Sequence, residues 1–318
     1  MPRNSLVIGS RGSRLALWQS NRIKELLEYS SPGLDVGIKI IETTGDKMLN
    51  VALSNIGDKG LFTRQIENEL LAGTIDLAVH SLKDLETRQP DGLKIGAVTE
   101  RELPNDVLIT NLPCTVEELP ENAKVATGSL RRRSQLLNLR PDLEILEIRG
   151  NVPTRLQKLE STEADALILA YAGVHRLGLD DHITQIIPFE VMLPAVGQGA
   201  IAVEIRADDL ETEALAMAIN DEATFHCTSA ERAFLRELEG GCQVPVAAHA
   251  VLENDEIRLD GMVGSFDGRE NLRKSASGPW SDPDELGIEL AREMIDLGAG
   301  DILQAVRDAS VERPREVI

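Results

Sequence analysis

Apolar positions along this chain fall into short runs that alternate with stretches of helical spacing. Runs of apolar residues predict strands over 6–9, 36–41 and 75–79. Between them, spacings of three and four predict a helix over 13–29, capped by Ser13, and another over 60–71 with Leu61, Ile66, Leu70 and Leu71 on one face. The rhythm pauses in the polar stretch 100–106. It then resumes with strands over 124–127, 143–148 and 166–170 and helices over 130–139 and 151–159. Strands alternating with helices in this way build mostly parallel sheets covered on both faces. The pattern changes near residue 220. A helix through Arg232 stops at Gly240-Gly241, alternating strands follow over 246–252 and 257–263, and two helical patterns finish the chain. Two α/β domains followed by a smaller α+β domain are therefore expected, a number that suits 318 residues.

Composition narrows the class. Hydrophobic residues make up 42% but aromatics only 3%, so the cores must be built from Leu, Ile, Val and Ala. No apolar run is long enough to span a bilayer, and the first residues do not resemble a targeting peptide. The formal net charge of -20 argues against nucleic acid or an anionic membrane as a partner, since both need a basic footprint. Cys114, Cys227 and Cys242 are far apart and form no CxxC pair, which fits a reducing compartment and a cytoplasmic location. The histidines show no metal-ligand spacing, so no metal site is expected.

Against this acidic background one segment is basic. Residues 127–158 carry seven Lys and Arg side chains against three carboxylates. Ser129 reads as an N-cap, which puts Arg131 and Arg132 in a first helical turn, where cations oppose the helix dipole. Exposed N–H groups and arginines at one helix start suit an anion. Arg149-Gly150-Asn151 repeats the grammar, with Arg155 one turn further on, and Arg11-Gly12-Ser13 repeats it again. Taken alone, each also reads as an ordinary strand–helix turn or a solvated basic face. The stretch Ala78–Asp84 places Lys83 and Asp84 just past the end of a buried strand, where open α/β sheets bind ligands, and it also suits a plain loop. In 238–245, Cys242 follows two glycines in a loop that could expose a thiolate or bury an inert one. Gly197–Ala202 fits GxGxxA but leads into a strand rather than a helix, which excludes a dinucleotide fingerprint. A small ligand with several carboxylates or phosphates is expected; a non-catalytic anion-binding module and a cysteine-dependent hydrolase are the rival readings.

Taken together these segments resemble the porphobilinogen deaminase family. The matching stretches are GSRGSRLAL (9–17), TTGDK (43–47), KGLF (59–62), AVHSLKD (78–84), TGSLRRR (127–133), RGNVPTRL (149–156), LPAVGQGAI (193–201) and EGGCQVPV (239–246). The resemblance implies an α/β fold of three domains. Two would be lobes with parallel or mixed sheets, like those of periplasmic binding proteins, with the active cleft between them, and the third a small α+β domain carrying the cysteine loop. The expected boundaries are 1–99 with 200–217, then 100–199, then 218–318. It implies an enzyme, a transferase of tetrapyrrole biosynthesis. Four porphobilinogen molecules would be joined head to tail, with loss of ammonia, on a dipyrromethane cofactor bound covalently through a thioether to Cys242. Hydrolysis would then release hydroxymethylbilane.

The resemblance also assigns residues. Asp84 would be the catalytic carboxylate. Ser81, Lys83, Thr127, Ser129, Arg131 and Arg132 would hold the cofactor. Arg11, Ser13, Phe62, Arg149, Arg155, Arg176 and Gln198 would bind substrate. The family is mostly monomeric, so a monomer is expected. Some positions depart from the usual pattern: Leu82 stands where methionine is common, and Gly128 replaces serine or alanine, which should loosen the capping turn. Asn55 and Asp58 stand where relatives often carry lysine and glycine.

Overall fold

The computed structural model describes residues 4–43, 45, 63–238 and 244–312, with side chains in the last helix only as far as residue 308. Asn55, Asp58, Phe62 and Cys242, with most of the predicted 60–63 helix start, lie outside the described residues. In chain order the strands are β1 (Ser5–Ser10), β2 (Asp35–Ile40), β3 (Leu77–Ser81), β4 (Leu93–Val98), β5 (Asp106–Thr110), β6 (Lys124–Ala126), β7 (Glu144–Leu146), β8 (Ala166–Ala170), β9 (Gln185–Ile186), β10 (Ile201–Arg206), β11 (Val246–Glu253), β12 (Glu256–Gly264) and β13 (Asn271–Pro279). The α-helices are α1 (Arg14–Ser30), α2 (Arg64–Leu71), α3 (Leu130–Leu139), α4 (Val152–Ser161), α5 (Tyr171–His175), α6 (Leu210–Met217), α7 (Glu222–Glu237), α8 (Pro283–Met294) and α9 (Gly300–Glu312). Helix α3 and strand β8 have the predicted bounds, and the other predicted elements differ by a few residues at their ends.

By their contacts the described residues form two compact units. The first is drawn from Met1–Leu49, Asp58–Glu102 and Gly199–Phe225. Its sheet has the order β2-β1-β3-β10-β4. β1 runs parallel to both β2 and β3, whereas β10 is antiparallel to β3 and β4. Alternation along the strands sorts the core onto two faces. Leu6, Ile8, Leu77 and Val79 pack with Ile23 and Leu27 of α1, while Ala78 packs with Ile66 and Leu70 of α2.

The second unit is drawn from Leu103–Gln198 and His226–Ile318 and holds two sheets. One has the order β7-β6-β8-β5-β9, with β6 parallel to β7 and β8, and β5 antiparallel to β8. Leu136 and Leu137 of α3 join the core on one face, and Leu156 of α4 with Val174 joins the core on the other. The other sheet is the antiparallel meander β11-β12-β13. Phe234 of α7, Leu290 and Met294 of α8, and Ile302 and Leu303 of α9 pack with its Ile257, Leu259 and Val263.

Both larger sheets are thus mixed rather than mostly parallel. Periodicity finds a strand at β10 but carries no information on its direction. β13 alternates between partly buried and exposed along its length and contains only Leu272 and Ala276 as core contacts, so its apolar signal is weak. Among the described residues no helix is long and apolar enough to cross a membrane.

Phe234 is fully buried and is the largest such side chain among the described residues, in a protein short of aromatics. Phe234→Ala should lower the unfolding free energy by about 3–5 kcal/mol, measured by chemical denaturation. A loss under about 1 kcal/mol would show that this core collapses to fill the gap.

Candidate functional site

In the first unit the strand ends gather the expected side chains. β1 and β3 are parallel neighbours, paired Ile8 to Leu77 and Gly9 to Ala78. Arg11–Ser13 and Ser81–Asp84 therefore leave the same edge of the sheet. Ser13 caps α1, its hydroxyl accepting the Ala16 N–H at 3.3 Å. After β3 the chain makes one 3-10 turn, Leu82–Asp84. Leu82 is buried and its N–H donates to the carbonyl of Ala200 at 3.1 Å, so the turn is anchored from below. Ser81 accepts a hydrogen bond from Gln19 Nε2 at 2.8 Å, tying α1 to the same turn. Asp84 is exposed, and its carboxylate has no hydrogen bond or ion pair to the described residues. Beneath the turn, the buried His80 Nε2 lies 3.1 Å from Glu204 Oε2. Burial, reinforced by the Glu204 charge, pushes the neighbouring Glu67 carboxyl above its usual value.

In the second unit the ends of β6, β7 and β8 share one sheet edge, because the three strands are parallel. β5 runs the other way, so its first residue, Asp106, sits opposite Ala170 at that edge. Asp106 is wholly buried and organises what surrounds it. Arg131 Nη1 donates to its Oδ2 at 2.6 Å, and Arg132 donates through Nε at 3.1 Å and Nη2 at 2.8 Å to its Oδ1. Gln198 Nε2 adds a fourth bond at 3.0 Å. Arg131 Nη1 also reaches the Leu193 carbonyl at 2.7 Å, and Arg132 Nη1 the Ile168 carbonyl at 3.0 Å. Arg131 and Arg132 are only 4% and 5% exposed. Burial alone would raise the Asp106 carboxyl, but the two guanidinium groups overcome it and hold the group far below the usual carboxylate range. Burial in turn pushes the Arg131 guanidinium down from its usual value, despite the attraction of Asp106.

This corrects one expectation. Charges set against the α3 dipole pointed to a ligand as their counter-ion, but the chain supplies a carboxylate of its own. Two guanidinium groups against one carboxylate still leave a buried positive charge, and Arg131 Nε has no hydrogen-bond partner among the described residues. The donor set therefore still suits an anion. Thr127 and Ser129 frame the start of α3. The Ser129 N–H donates to Thr127 Oγ1 at 3.3 Å, and Ser129 Oγ accepts the Arg132 N–H at 3.5 Å. Gly128 does not leave this turn loose. A Cβ there would stand 2.9 Å from the Ile148 carbonyl, so the glycine lets the ends of β6 and β7 approach closely.

Beyond β7 the second arginine turn forms as predicted. Gly150 takes φ +118, which favours glycine, and Asn151 Oδ1 accepts the Thr154 N–H at 2.9 Å to cap α4. Arg149 is buried and donates through Nη2 to Glu147 Oε1 at 2.8 Å. Arg155 is half-buried on the first turn of α4, and Arg176 is buried just after α5. Gln198, expected to bind substrate, lies at the Asp106 hub. Its side chain is buried and its amide is spent on the Pro104 carbonyl, at 2.7 Å, and on Asp106.

Periodicity and motifs missed four participants. Asp106 hides at the end of the polar stretch 100–106, though an acid opening the apolar run Val107–Ile109 is a detectable sign. Glu147, just past the end of β7, stands two residues before Arg149, a spacing that puts side chains of extended backbone on one face. Gln135 holds the Leu193 backbone through bonds at 2.8 and 3.0 Å. Glu231 accepts the Gly197 and Ala250 N–H groups at 2.7 and 2.8 Å. Cys114 and Cys227 are free thiols, and burial pushes the Cys114 thiol up, which suits an inert cysteine.

Removing the hub should be costly. Asp106→Asn leaves two buried guanidinium groups facing a neutral amide, and should cost about 3–5 kcal/mol of unfolding free energy near neutral pH. A carboxyl held low in the folded state contributes stability above its unfolded value of about 4 and loses it as pH falls below that. The gap between parent and variant should therefore narrow below about pH 4. Denaturation curves of the two proteins at several pH values test this; a gap under about 1 kcal/mol at neutral pH would contradict the hub.

Comparison with known proteins agrees with the motifs. A family model described as "Porphobilinogen deaminase, dipyromethane cofactor binding domain" matches residues 6–214. A second, described as "Porphobilinogen deaminase, C-terminal domain", matches residues 225–296. A porphobilinogen deaminase of Chloroherpeton thalassium is 50% identical over 309 residues, covering 96% of this chain and 98% of the relative. One from Moorella thermoacetica is 52% identical over 303 residues, covering 95% and 97%. Among solved structures, a BvgS VFT2 domain of Bordetella pertussis is similar at TM-score 0.42 and 13% identity, over 68% of this chain and 86% of that domain. On the two family models and relatives at half identity over nearly the whole length, the chain belongs to the porphobilinogen deaminase family.

Proposed function

We propose that the chain joins four porphobilinogen molecules head to tail with loss of ammonia, on a dipyrromethane primer attached to Cys242, and releases hydroxymethylbilane by hydrolysis. Family membership supports the reaction. The observation that carries the chemistry is the Asp84 carboxylate, exposed on an anchored turn at a strand end and unspent on the described residues.

The two strand-end sets divide the work. Loss of ammonia from porphobilinogen leaves positive charge on the reacting carbon. A fixed carboxylate opposes that charge as it develops, which lowers the barrier. The same oxygens can accept pyrrole N–H bonds and move the proton released when each new bond forms. Asp84 takes this role. Every pyrrole unit carries an acetate and a propionate, so the ligand is a polyanion and needs cations along its length. Arg11, Ser13, Arg149, Arg155 and Arg176 take the substrate carboxylates, with Phe62 as an aromatic contact. Gln198 acts through Asp106 rather than on substrate, since its amide is already engaged.

The residues suit the primer. The buried pair Arg131 and Arg132 keeps one positive charge beyond what Asp106 neutralises, and Arg131 Nε has no partner among the described residues. Carboxylates of a dipyrromethane match that donor set. Arg131, Arg132, Lys83, Ser81, Thr127 and Ser129 would hold it, and Cys242 would carry the thioether. When bound, the primer supplies the nucleophilic pyrrole carbon from which the chain grows.

The three sheets are read as three domains, 1–99 with 200–217, 100–199 and 218–318. The protein is read as a cytoplasmic monomer acting on a small molecule.

Intact mass under denaturing conditions, followed by peptide mapping, tests the primer. The expected result is extra mass equal to two pyrrole units after ammonia loss, localised to Cys242. An unmodified chain that gains no such mass when given porphobilinogen would overturn the proposal and favour an anion-binding module.

A further inference from the structure

We propose that Glu147 is a built-in competitor for the Arg149 guanidinium, and that it limits how tightly and how long that arginine holds a substrate carboxylate. The inference rests on the reading of Arg149 as a carboxylate-binding residue. Glu147 and Arg149 lie two residues apart just past the end of β7, with side chains 9% and 10% exposed. Glu147 Oε1 takes a single bond from Arg149 Nη2, at 2.8 Å. The Nε atom of Arg149 is buried and has no hydrogen-bond partner among the described residues.

Those two nitrogens form one edge of the guanidinium. A carboxylate seated squarely on that edge makes two parallel, charge-assisted bonds. Glu147 makes one and leaves the other donor unsatisfied, which is a cost in a buried place. An incoming substrate carboxylate therefore exchanges one bond for two and satisfies the orphaned N–H. Against that gain stands the displacement of Glu147. The displaced side chain can turn to Arg133: both line one cavity of about 210 Å³, with Thr127 and Ser129 also in its lining, and the Arg133 guanidinium lies over the Phe266 ring at 4.2 Å. Binding at Arg149 is thus an exchange of carboxylates rather than the filling of an empty cation. An exchange of this kind weakens each hold, which suits a reaction that must shift a growing polyanion four times rather than trap it.

Glu147→Gln keeps the shape and removes the competing charge. The expected result is a KM for porphobilinogen lowered roughly three- to tenfold, the worth of about one net hydrogen bond. Turnover should fall, and partly extended forms of the enzyme should accumulate as a ladder in intact-mass spectra. Glu147→Asp, which keeps the charge but withdraws it from Nη2, should move KM less and in the same direction. It also serves as the test if the glutamine variant fails to fold. A merely structural ion pair would instead leave KM unchanged or raise it, and that result would overturn the inference. Arg149→Gln separates the two readings. If it raises KM or stalls elongation while the Glu147 variants keep the parental KM, only the competitor inference fails. If Arg149→Gln leaves both KM and turnover unchanged, Arg149 is not a carboxylate site, and the inference falls with that reading.

Discussion

The buried contact between Asp106 and the arginines Arg131 and Arg132 is the constraint on which the cationic edge depends. Arginines in the first turn of a helix oppose its dipole, and arginines 4% and 5% exposed give up nearly all their hydration. Neither cost is acceptable without a counter-charge fixed in place. Asp106 supplies it because β5 runs antiparallel to its neighbour and so begins where the parallel strands end. The direction of one strand thus decides whether a carboxylate is available at that edge. Through Gln198 the same carboxylate also holds the segment that leads into β10.

The two units solve opposite problems with the same strand-end geometry. The second unit keeps Arg131 and Arg132 buried and paired with Asp106, with a surplus of one positive charge among the three. A site of this kind would meet the carboxylates of the proposed primer without first reorganising. The first unit leaves Asp84 exposed on a short turn whose backbone, rather than its side chain, is anchored. In the proposed reaction, a carboxylate that opposes a developing cation has to stay unneutralised beforehand. Arg149 falls between these extremes, held by one bond to Glu147 where the edge could take two.

Much of this was legible in the amino-acid order. Helix α3 and strand β8 follow from periodicity alone, and Ser13, Ser129 and Asn151 cap their helices as their residue types suggest. The arginines at strand ends, and Asp84 after β3, were visible because local grammar specifies them. What local grammar does not specify is pairing over long separations. Arg131 and Asp106 are 25 residues apart and meet only after two strands and a helix are in place. The antiparallel direction of β10 depends on the chain returning from the second unit to the first. Glu147 was legible in principle, since residues two apart on extended backbone share a face, but nothing in the sequence says that its neighbour is buried.

The most direct test of the account is the turnover of Asp84→Asn, measured as hydroxymethylbilane formed from porphobilinogen and normalised to the primer each preparation carries. Asp84 is exposed and unpaired with the described residues, so the variant should fold with an unchanged unfolding midpoint. Its turnover should fall at least about a hundredfold, since the fixed charge opposing the reacting cation is gone. Turnover close to that of the parent would contradict the account, because no other exposed carboxylate on that turn could take its place.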